Sequence, residues 1–269
     1  MGGIYSTAND LSTLGRSILS YTLLSPNTTR AWMKPTTHTS SLTGSVGRPW
    51  EIYRFVLPQP DNRVTDIYTK SGSLGLYTSI LALLPDYGVG FVTLAAGKGS
   101  HAALDGLIAD IVLPEFETIA RKEADSVYAG TYTASNGLNS SITLTTDPSK
   151  PGLGVSSWIS NGTDFFAVLA VLQSIRKDEL SIRLYPTNLE STGNSTAGGR
   201  QIAFRGIGEV TSGFQDHGVF SSCGTWFGVD GNTWGNYPVD ELIFSLSEDG
   251  NKAVSVTPKF LKVNLERRG

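Results

Sequence analysis

The stretch Ile67-Tyr68-Thr69-Lys70-Ser71-Gly72-Ser73-Leu74-Gly75 decides how the N-terminal region of this chain is interpreted. It places a lysine, a hydroxyl and a glycine at the end of a segment whose pattern predicts a β-strand. The lysine offers a fixed positive charge to a carboxylate or to a developing anion, and the hydroxyl can donate a hydrogen bond to the same group. Gly72 permits close approach to the strand, and the N–H of Ser73 can point at an oxyanion. Lys70, Ser71, Gly72 and Ser73 are therefore the candidate catalytic residues.

The flanking segments decide whether Lys70–Ser73 forms one wall of an active site or is an ordinary surface segment with a lysine before a turn. Upstream, Gly2–Leu11 joins a glycine pair to a helix start that Ser6 or Thr7 can cap. Downstream, Tyr77–Leu94 predicts two apolar strands joined at a Pro-Asp-Tyr-Gly turn. In this order the segments resemble the β-lactamase-related serine hydrolases, the class C and penicillin-binding protein-like family. More narrowly, the chain resembles the fungal members that carry an additional C-terminal β domain.

The resemblance implies an α+β fold. Residues 1–122 correspond to the C-terminal part of a β-lactamase-like antiparallel sheet with flanking helices, and residues 125–269 to an all-β domain, either a sandwich or a barrel. It implies a serine hydrolase that acts on an ester, amide or lactam through an acyl-enzyme intermediate, without a cofactor. Lys70 and Ser71 would bind a carboxylate or tune the general base, and the Ser73 N–H would form half of the oxyanion hole.

The nucleophile of that family, in a Ser-x-x-Lys motif, is expected in a missing N-terminal half of the hydrolase domain. The match Ser174-Ile175-Arg176-Lys177 comes after Lys70, in the wrong order, and is interpreted as a coincidental surface feature. We therefore expect this chain to lack the nucleophile. Two other functions stay open: a non-catalytic binding or scaffolding module, and an acyltransferase (transesterase) of the same family.

Composition restricts the partners. The chain has 269 residues, a net charge of −3 and no basic run, which argues against nucleic acid. Its most apolar span, Tyr77–Ala96, is interrupted by the turn at residues 85–88, so no membrane segment is expected. The histidines His38, His101 and His217 share no motif, so no metal site is expected. The expected partner is a small-molecule substrate with a carbonyl centre.

Location is inferred from processing signals. Met1–Ile4 does not begin a signal peptide, so the signal of a secreted parent would lie in the missing half. An extracellular parent is expected, with the cytoplasm as the alternative. Cys223 is either a buried free thiol or the partner of a cysteine in that half. Four Asn-x-Ser/Thr sequons are compatible with secretion: Asn27, Asn139, Asn161 and Asn194.

The pattern changes from mixed to mostly β near residue 125. Before this point, a helical stripe of Leu104, Leu107, Ile108, Ile111 and Val112 predicts a core-facing helix, which Pro114 kinks or restarts. After it, a single short helix is expected at Phe165–Leu172. The aromatic segment Trp226–Tyr237 is either a binding loop or, in preference, a loop packed on the β domain or on the neighbouring domain. Strands are predicted at Tyr128–Thr133, Ser141–Thr145, Gly154–Ile159, Leu180–Tyr185, Arg200–Arg205, Leu242–Leu246, Ala253–Thr257 and Phe260–Leu265.

Overall fold

The structure is a computed structural model that describes residues 3–58, 63–98, 101–192, 199–210 and 224–268. It divides into two compact units, Met1–Ala120 and Arg121–Gly269. Both are built on large antiparallel sheets, and helices complete an α+β architecture. Three residues discussed above, Asn194, His217 and Cys223, lie outside the described residues.

The first unit is built on a six-stranded antiparallel sheet in the order of the sequence. Its strands are β1 (Thr37–His38), β2 (Gly44–Val46), β3 (Glu51–Val56), β4 (Val64–Leu74), β5 (Tyr77–Leu84) and β6 (Val89–Ala96). Its helices are α1 (Ala8–Leu19), α2 (Pro26–Trp32) and α3 (His101–Tyr128), the last of which extends into the second unit.

Two helix starts follow the sequence signals. The hydroxyl of Thr7 accepts a hydrogen bond from the N–H of Asp10 at 3.2 Å and donates to its carboxylate at 2.9 Å. The hydroxyl of Ser25 accepts from the N–H of Thr28 at 3.2 Å, and Pro26 occupies the first helical position, where its missing N–H costs nothing. These caps fix the beginnings of α1 and α2.

The two faces of this sheet carry separate apolar clusters, because side chains alternate along each strand. One cluster lies against the short N-terminal helices and contains Ile18, Met33, Trp50, Ile52, Leu81 and Leu83. The other lies against α3 and contains Leu57, Ile67, Ala82, Leu84, Ala109 and Leu113. Tyr68 and Lys70, two residues apart on β4, belong to the face of the first cluster.

The predicted core stripe of α3 is wrong. Leu104, Leu107 and Ile111 are exposed, whereas the buried ridge follows an i, i+4 spacing through Asp105, Ala109, Leu113 and Glu117. Two of these four residues are buried carboxylates that accept hydrogen bonds from side chains of the sheet and its loops. Thr93 Oγ1 donates to Asp105 at 2.6 Å, while Arg63 and Tyr87 donate to Glu117 at 2.6 and 2.8 Å. Pro114 does not restart the helix, since one helix runs through it.

The second unit contains a closed antiparallel barrel. Its strands are β7 (Gly130–Ala134), β8 (Ser141–Thr145), β9 (Leu153–Ser160), β10 (Thr163–Asp164), β11 (Leu180–Thr192), β12 (Arg200–Val210), β13 (Thr233–Trp234), β14 (Tyr237–Pro238), β15 (Glu241–Leu246), β16 (Ala253–Pro258) and β17 (Leu265–Arg267). Pairing follows the order β9, β11, β12, β15, β16, β17, β7, β8, and β8 pairs again with β9. Eight strands therefore form a cycle, with β10 as a short hairpin on β9 and β13–β14 as a separate ribbon.

Inward-facing side chains fill this barrel. Phe244 has no exposed surface and contacts the rings of Tyr128, Tyr132 and Phe204 at centroid distances of 5.1, 6.4 and 4.9 Å. The hydroxyl of Tyr132 donates to the carbonyl of Tyr128 at 2.7 Å, and burial raises the pKa of Tyr132 to about 12. Aromatic packing of this kind adds to the stabilisation from buried area.

One buried cation anchors a loop of the barrel. The guanidinium of Arg183, on β11, donates to the carbonyls of Pro151, Lys150 and Gly152 at 2.7, 3.2 and 2.5 Å. The neighbouring Gly154 has no Cβ, and a Cβ there would collide with this guanidinium. Arg183 thus satisfies carbonyls of a loop that has no strand partner of its own.

Most strands predicted in the second unit are present, although their ends differ. Of the two α-helices that lie wholly within it in the described residues, one was predicted and one was not. The strand predicted at Phe260–Leu265 is wrong, because Lys259–Leu261 is a 3-10 turn and β17 begins only at Leu265. The helix predicted at Phe165–Leu172 is present as α4 (Phe165–Gln173), capped by the carboxylate of Asp164. A four-residue helix, α5 (Gly224–Phe227), was not predicted.

Candidate active-site wall

The candidate residues lie where β4 extends beyond its neighbour β3. The last pair between these strands joins Glu51 to Thr69, whereas pairing with β5 continues from Lys70 to Leu74. In the described residues, the segment Lys70–Leu74 is therefore paired on one side only. On the other side, β3 begins only at Glu51, two residues after Pro49, which has no N–H to donate to a strand partner. We call this segment the free edge of β4.

The carboxylate of Glu51 occupies the beginning of the free edge. Its Oε1 accepts a hydrogen bond from Lys70 Nζ at 2.5 Å, and its Oε2 accepts one from the backbone N–H of Ser71 at 3.0 Å. Lys70 Nζ also donates to the carbonyl of Ser71 at 3.0 Å. A side chain thus takes the hydrogen bond that a neighbouring strand would otherwise make. Sequence analysis did not identify Glu51 as belonging to this site.

The electrostatics of this contact favour the ionised carboxylate. Partial burial acts to raise the pKa of Glu51, but the hydrogen bonds from Lys70 and Ser71 and the charge of Lys70 together outweigh it, so the pKa is lowered. Both side chains keep solvent contact, with 45% of Lys70 and 36% of Glu51 exposed. The lysine charge is therefore already balanced at neutral pH by a group within the chain.

The geometry of the free edge also orients Ser73. The N–H of Ser71 points away from β5, since it bonds to Glu51. Backbone groups two residues apart on a strand point to the same side, so the N–H of Ser73 points away from β5 as well. Between them, Gly72 keeps the surface low, because a Cβ there would stand 2.8 Å from the hydroxyl of Ser79 on β5. The free edge thus offers a backbone donor beside an open approach.

A cleft of about 840 Å³ adjoins this edge. The structure brings Lys70, Ser71 and Gly72 to its wall, and Ser73 follows on the same strand. Trp50 also lines the cleft, and its indole Nε1 is buried without a hydrogen-bond partner among the residues that the structure describes. The volume lies in the range of small-molecule sites.

The Ser-x-x-Lys match at Ser174–Lys177 is explained by its position at the end of a helix. Ser174 ends α4 with a left-handed backbone, at φ 56°, and its N–H donates to carbonyls of the last helical turn. Lys177 Nζ pairs with the carboxylate of Asp164, and 58% of the lysine side chain is exposed. Ser174 caps α4 and Lys177 follows it, and both side chains are on the surface. This agrees with the interpretation of the match as a coincidental surface feature.

The described residues contain neither a membrane-spanning helix nor a cluster of metal ligands. No helix there is long and apolar enough to cross a membrane. No group of three or more histidine, cysteine, aspartate or glutamate residues in the described ranges could hold a metal ion.

Comparison with known proteins identifies the family. A family model described as "Beta-lactamase-like-like, C-terminal domain" matches residues 120–269, more than half of the chain. A "Beta-lactamase-like protein" of Arthroderma benhamiae is 30% identical over 286 aligned residues, which cover 97% of this chain and 48% of that protein. The chain belongs to the β-lactamase-like family. The β-lactamase-like resemblance deduced from the Lys-Ser-Gly region is thereby confirmed.

Two further relatives of this β-lactamase-like chain are named as probable hydrolases. One, from Phoma sp., is 32% identical and covers 74% of this chain and 34% of its own length. The other, from Cochliobolus lunatus, is 34% identical and covers 64% of this chain and 28% of its own length. The chain spans about half, or less, of the length of these curated relatives. It is a member of a hydrolase family.

Proposed function

We propose that this chain supplies the oxyanion wall of a serine hydrolase that acts on esters, amides or lactams through an acyl-enzyme intermediate. The observation that carries the proposal is the free edge of β4. There the N–H of Ser73 points away from β5, above a glycine that leaves room for a carbonyl group. Backbone donors fixed in this way stabilise the negative charge that develops on a carbonyl oxygen during acyl transfer.

The nucleophile comes from outside these 269 residues in this proposal. A Ser-x-x-Lys segment of the parent protein approaches the cleft beside Lys70 and places its hydroxyl opposite the Ser73 N–H. The lysine of that segment activates the serine as general base. The length of the relatives supports this, because this chain covers only 48% of the Arthroderma benhamiae protein.

The C-terminal barrel has a supporting role in the proposal. We place the hydrolase domain at residues 1–122 and the β domain at 125–269. The barrel core is apolar and its prominent buried cation, Arg183, is engaged with loop carbonyls, so we assign no catalytic residue to the barrel. We also propose a secreted parent, since the sequon asparagines Asn27, Asn139 and Asn161 are exposed.

The test uses the full-length parent protein and a fluorophosphonate probe, which labels activated serines. Ser73→Pro removes the proposed oxyanion donor without removing a bond to β5, because that N–H points away from β5. Ser73→Ala is the matched control, since it keeps the N–H and loses only the hydroxyl. We expect the labelling rate and ester hydrolysis to fall about 100-fold or more in Ser73→Pro and to change little in Ser73→Ala.

Equal activity of Ser73→Pro and the parent would reject the oxyanion role. The 269-residue chain alone should show no labelled serine, and stoichiometric labelling of Ser174 would show that the nucleophile had been assigned to the wrong place. Accumulation of an acylated alcohol instead of a free acid, when both water and an alcohol are present, would identify an acyltransferase. A parent that binds ligands but labels at no serine would be a binding module.

A further inference from the structure

We propose that Glu51 is a built-in carboxylate that makes this site select uncharged acyl groups over substrates that carry a carboxylate next to the reacting carbonyl. The inference rests on the proposed function, because it names the substrate class of the same cleft. It assigns to Glu51 a role in specificity, since Glu51 acts through Lys70 and the Ser71 N–H.

The contacts of Glu51 are those that a substrate carboxylate would need. A bound carboxylate at the Lys-Ser-Gly wall would accept from the lysine ammonium and from a backbone N–H of the free edge. Glu51 makes both contacts already, at 2.5 Å to Lys70 Nζ and 3.0 Å to the Ser71 N–H. A second carboxylate at this place would find these donors engaged and would stand within a few ångströms of a like charge.

The rest of the described lining of the cleft provides no positive charge that could pair with an anion. Among the described residues that line it, Lys70 carries the only charged side chain. The rest of the lining is mainly aliphatic and aromatic, including Leu11, Leu14, Ile18, Trp32 and Trp50. Moving an ionised group from water to such a wall is costly unless it is paired. An apolar chain of an ester or amide, by contrast, gains from burial there.

The position of Glu51 is specified by the fold. Its carbonyl accepts from the hydroxyl of Thr69 at 2.7 Å, within the last pair between β3 and β4. The side chain therefore starts where β3 begins and reaches along the free edge. The same carboxylate both accepts a hydrogen bond from the Ser71 N–H of the edge and neutralises the lysine.

The test measures binding, so that it does not depend on a nucleophile. The purified 269-residue chain is titrated with octanamide and with sodium octanoate at neutral pH, and the fluorescence of Trp32 and Trp50 reports occupation of the cleft. We expect octanamide to bind at least about tenfold more tightly than octanoate. In Glu51→Gln, which keeps the shape of the side chain but removes its charge, octanoate affinity should rise about tenfold, with octanamide affinity nearly unchanged.

Two further variants separate a charge effect from damage to the fold. Asp66→Asn removes a carboxylate that pairs with Arg54 on the same sheet, at 3.4 Å, and should leave both affinities unchanged. In the double variant Glu51→Gln with Lys70→Met, the gain in octanoate affinity should disappear. Equal binding of both probes to the unaltered chain, binding of neither, or no gain for octanoate in Glu51→Gln would each overturn the proposal. Failure of serine labelling in the parent would reject the proposed hydrolase and leave these affinities as they are.

Discussion

The two sheets of this molecule end in opposite ways. In the first unit, six strands follow one another and β4 projects beyond β3, so one side of Lys70–Leu74 has no strand partner among the described residues. Lys70, Ser71 and Gly72 of this segment line a cleft. In the second unit, eight strands close on themselves through the pairing of β8 with β9. A closed barrel satisfies its own backbone groups, and its core is filled by side chains. The chain thus separates a region suited to chemistry from a region suited to stability.

The largest expected effect comes from separating the two units. Expressed alone, residues 121–269 should unfold in one cooperative thermal transition with a β-type circular dichroism spectrum, because the barrel has a closed pairing cycle and its own core. Residues 1–120 alone should show no sharp transition and should bind a hydrophobic dye, since their cleft and free edge are open. A disordered or helical spectrum for residues 121–269 would contradict the comparison.

A substitution in the barrel core should have the next largest effect. Phe244→Ala should lower the free energy of unfolding by about 4 kcal/mol, because the ring is fully buried among three other aromatic rings. Urea unfolding followed by circular dichroism measures it. Phe227→Ala is the control, since that ring is 85% exposed, and should change the free energy by less than about 0.5 kcal/mol. Equal effects would show that the barrel interior is not the core.

In the first unit, the corresponding test removes a polar contact instead of an apolar side chain. Arg63 joins Glu117 of α3 and Asp86 of the β5–β6 turn, at 2.6 and 2.9 Å. Arg63→Met removes the ionic partner at 2.6 Å from the mostly buried Glu117, while the Tyr87 hydroxyl still donates to that carboxylate. The substitution should lower the free energy of unfolding by about 2 kcal/mol. The measurement is amide hydrogen exchange of β5. Arg54→Met, which removes an exposed ion pair, should have almost no effect, and a similar loss in both variants would argue against a special role for Glu117.

Alkaline pH should weaken the barrel through Tyr132. Because burial raises its pKa from 10 to about 12, the fold favours the neutral phenol. This contribution is fully present below pH 10 and is lost as the pH rises through 12, by about 3 kcal/mol in total. Urea unfolding at pH 9 and at pH 12 measures the loss, which should be smaller in Tyr132→Phe. An equal loss in the variant would place the alkaline sensitivity elsewhere.

Local signals predicted what depends on neighbours in the sequence. The Pro-Asp-Tyr-Gly turn and the apolar segments beside it predicted β5 and β6, and the capping signal at Ser6 or Thr7 predicted the start of α1. Register and burial depend on distant partners. The helical stripe with Leu104, Leu107 and Ile111 was assigned to the core, yet the buried ridge of α3 contains Asp105 and Glu117, whose charges are satisfied by Thr93 and Arg63. Periodicity alone cannot identify a buried carboxylate.

The same distinction applies to the site. The Lys-Ser-Gly pattern predicted the candidate active-site wall, because a cation, a hydroxyl and a glycine in succession suit the binding of an anion beside a strand. Glu51 lies 19 residues before Lys70 and becomes its partner only through the offset of β3 against β4. A carboxylate at the start of a strand, directly after Pro49 and Trp50, was the one available signal, and it carries no information about register.

The position of Glu51 has a consequence for self-association. An unpaired strand segment with apolar neighbours is a template on which a second molecule can add its own strand, which leads to edge-to-edge aggregation. A charged side chain lying along Lys70 and Ser71 obstructs such pairing, since an incoming strand would have to displace it from the ammonium and from the backbone N–H. Glu51 therefore opposes polymerisation of the molecule through the free edge of β4.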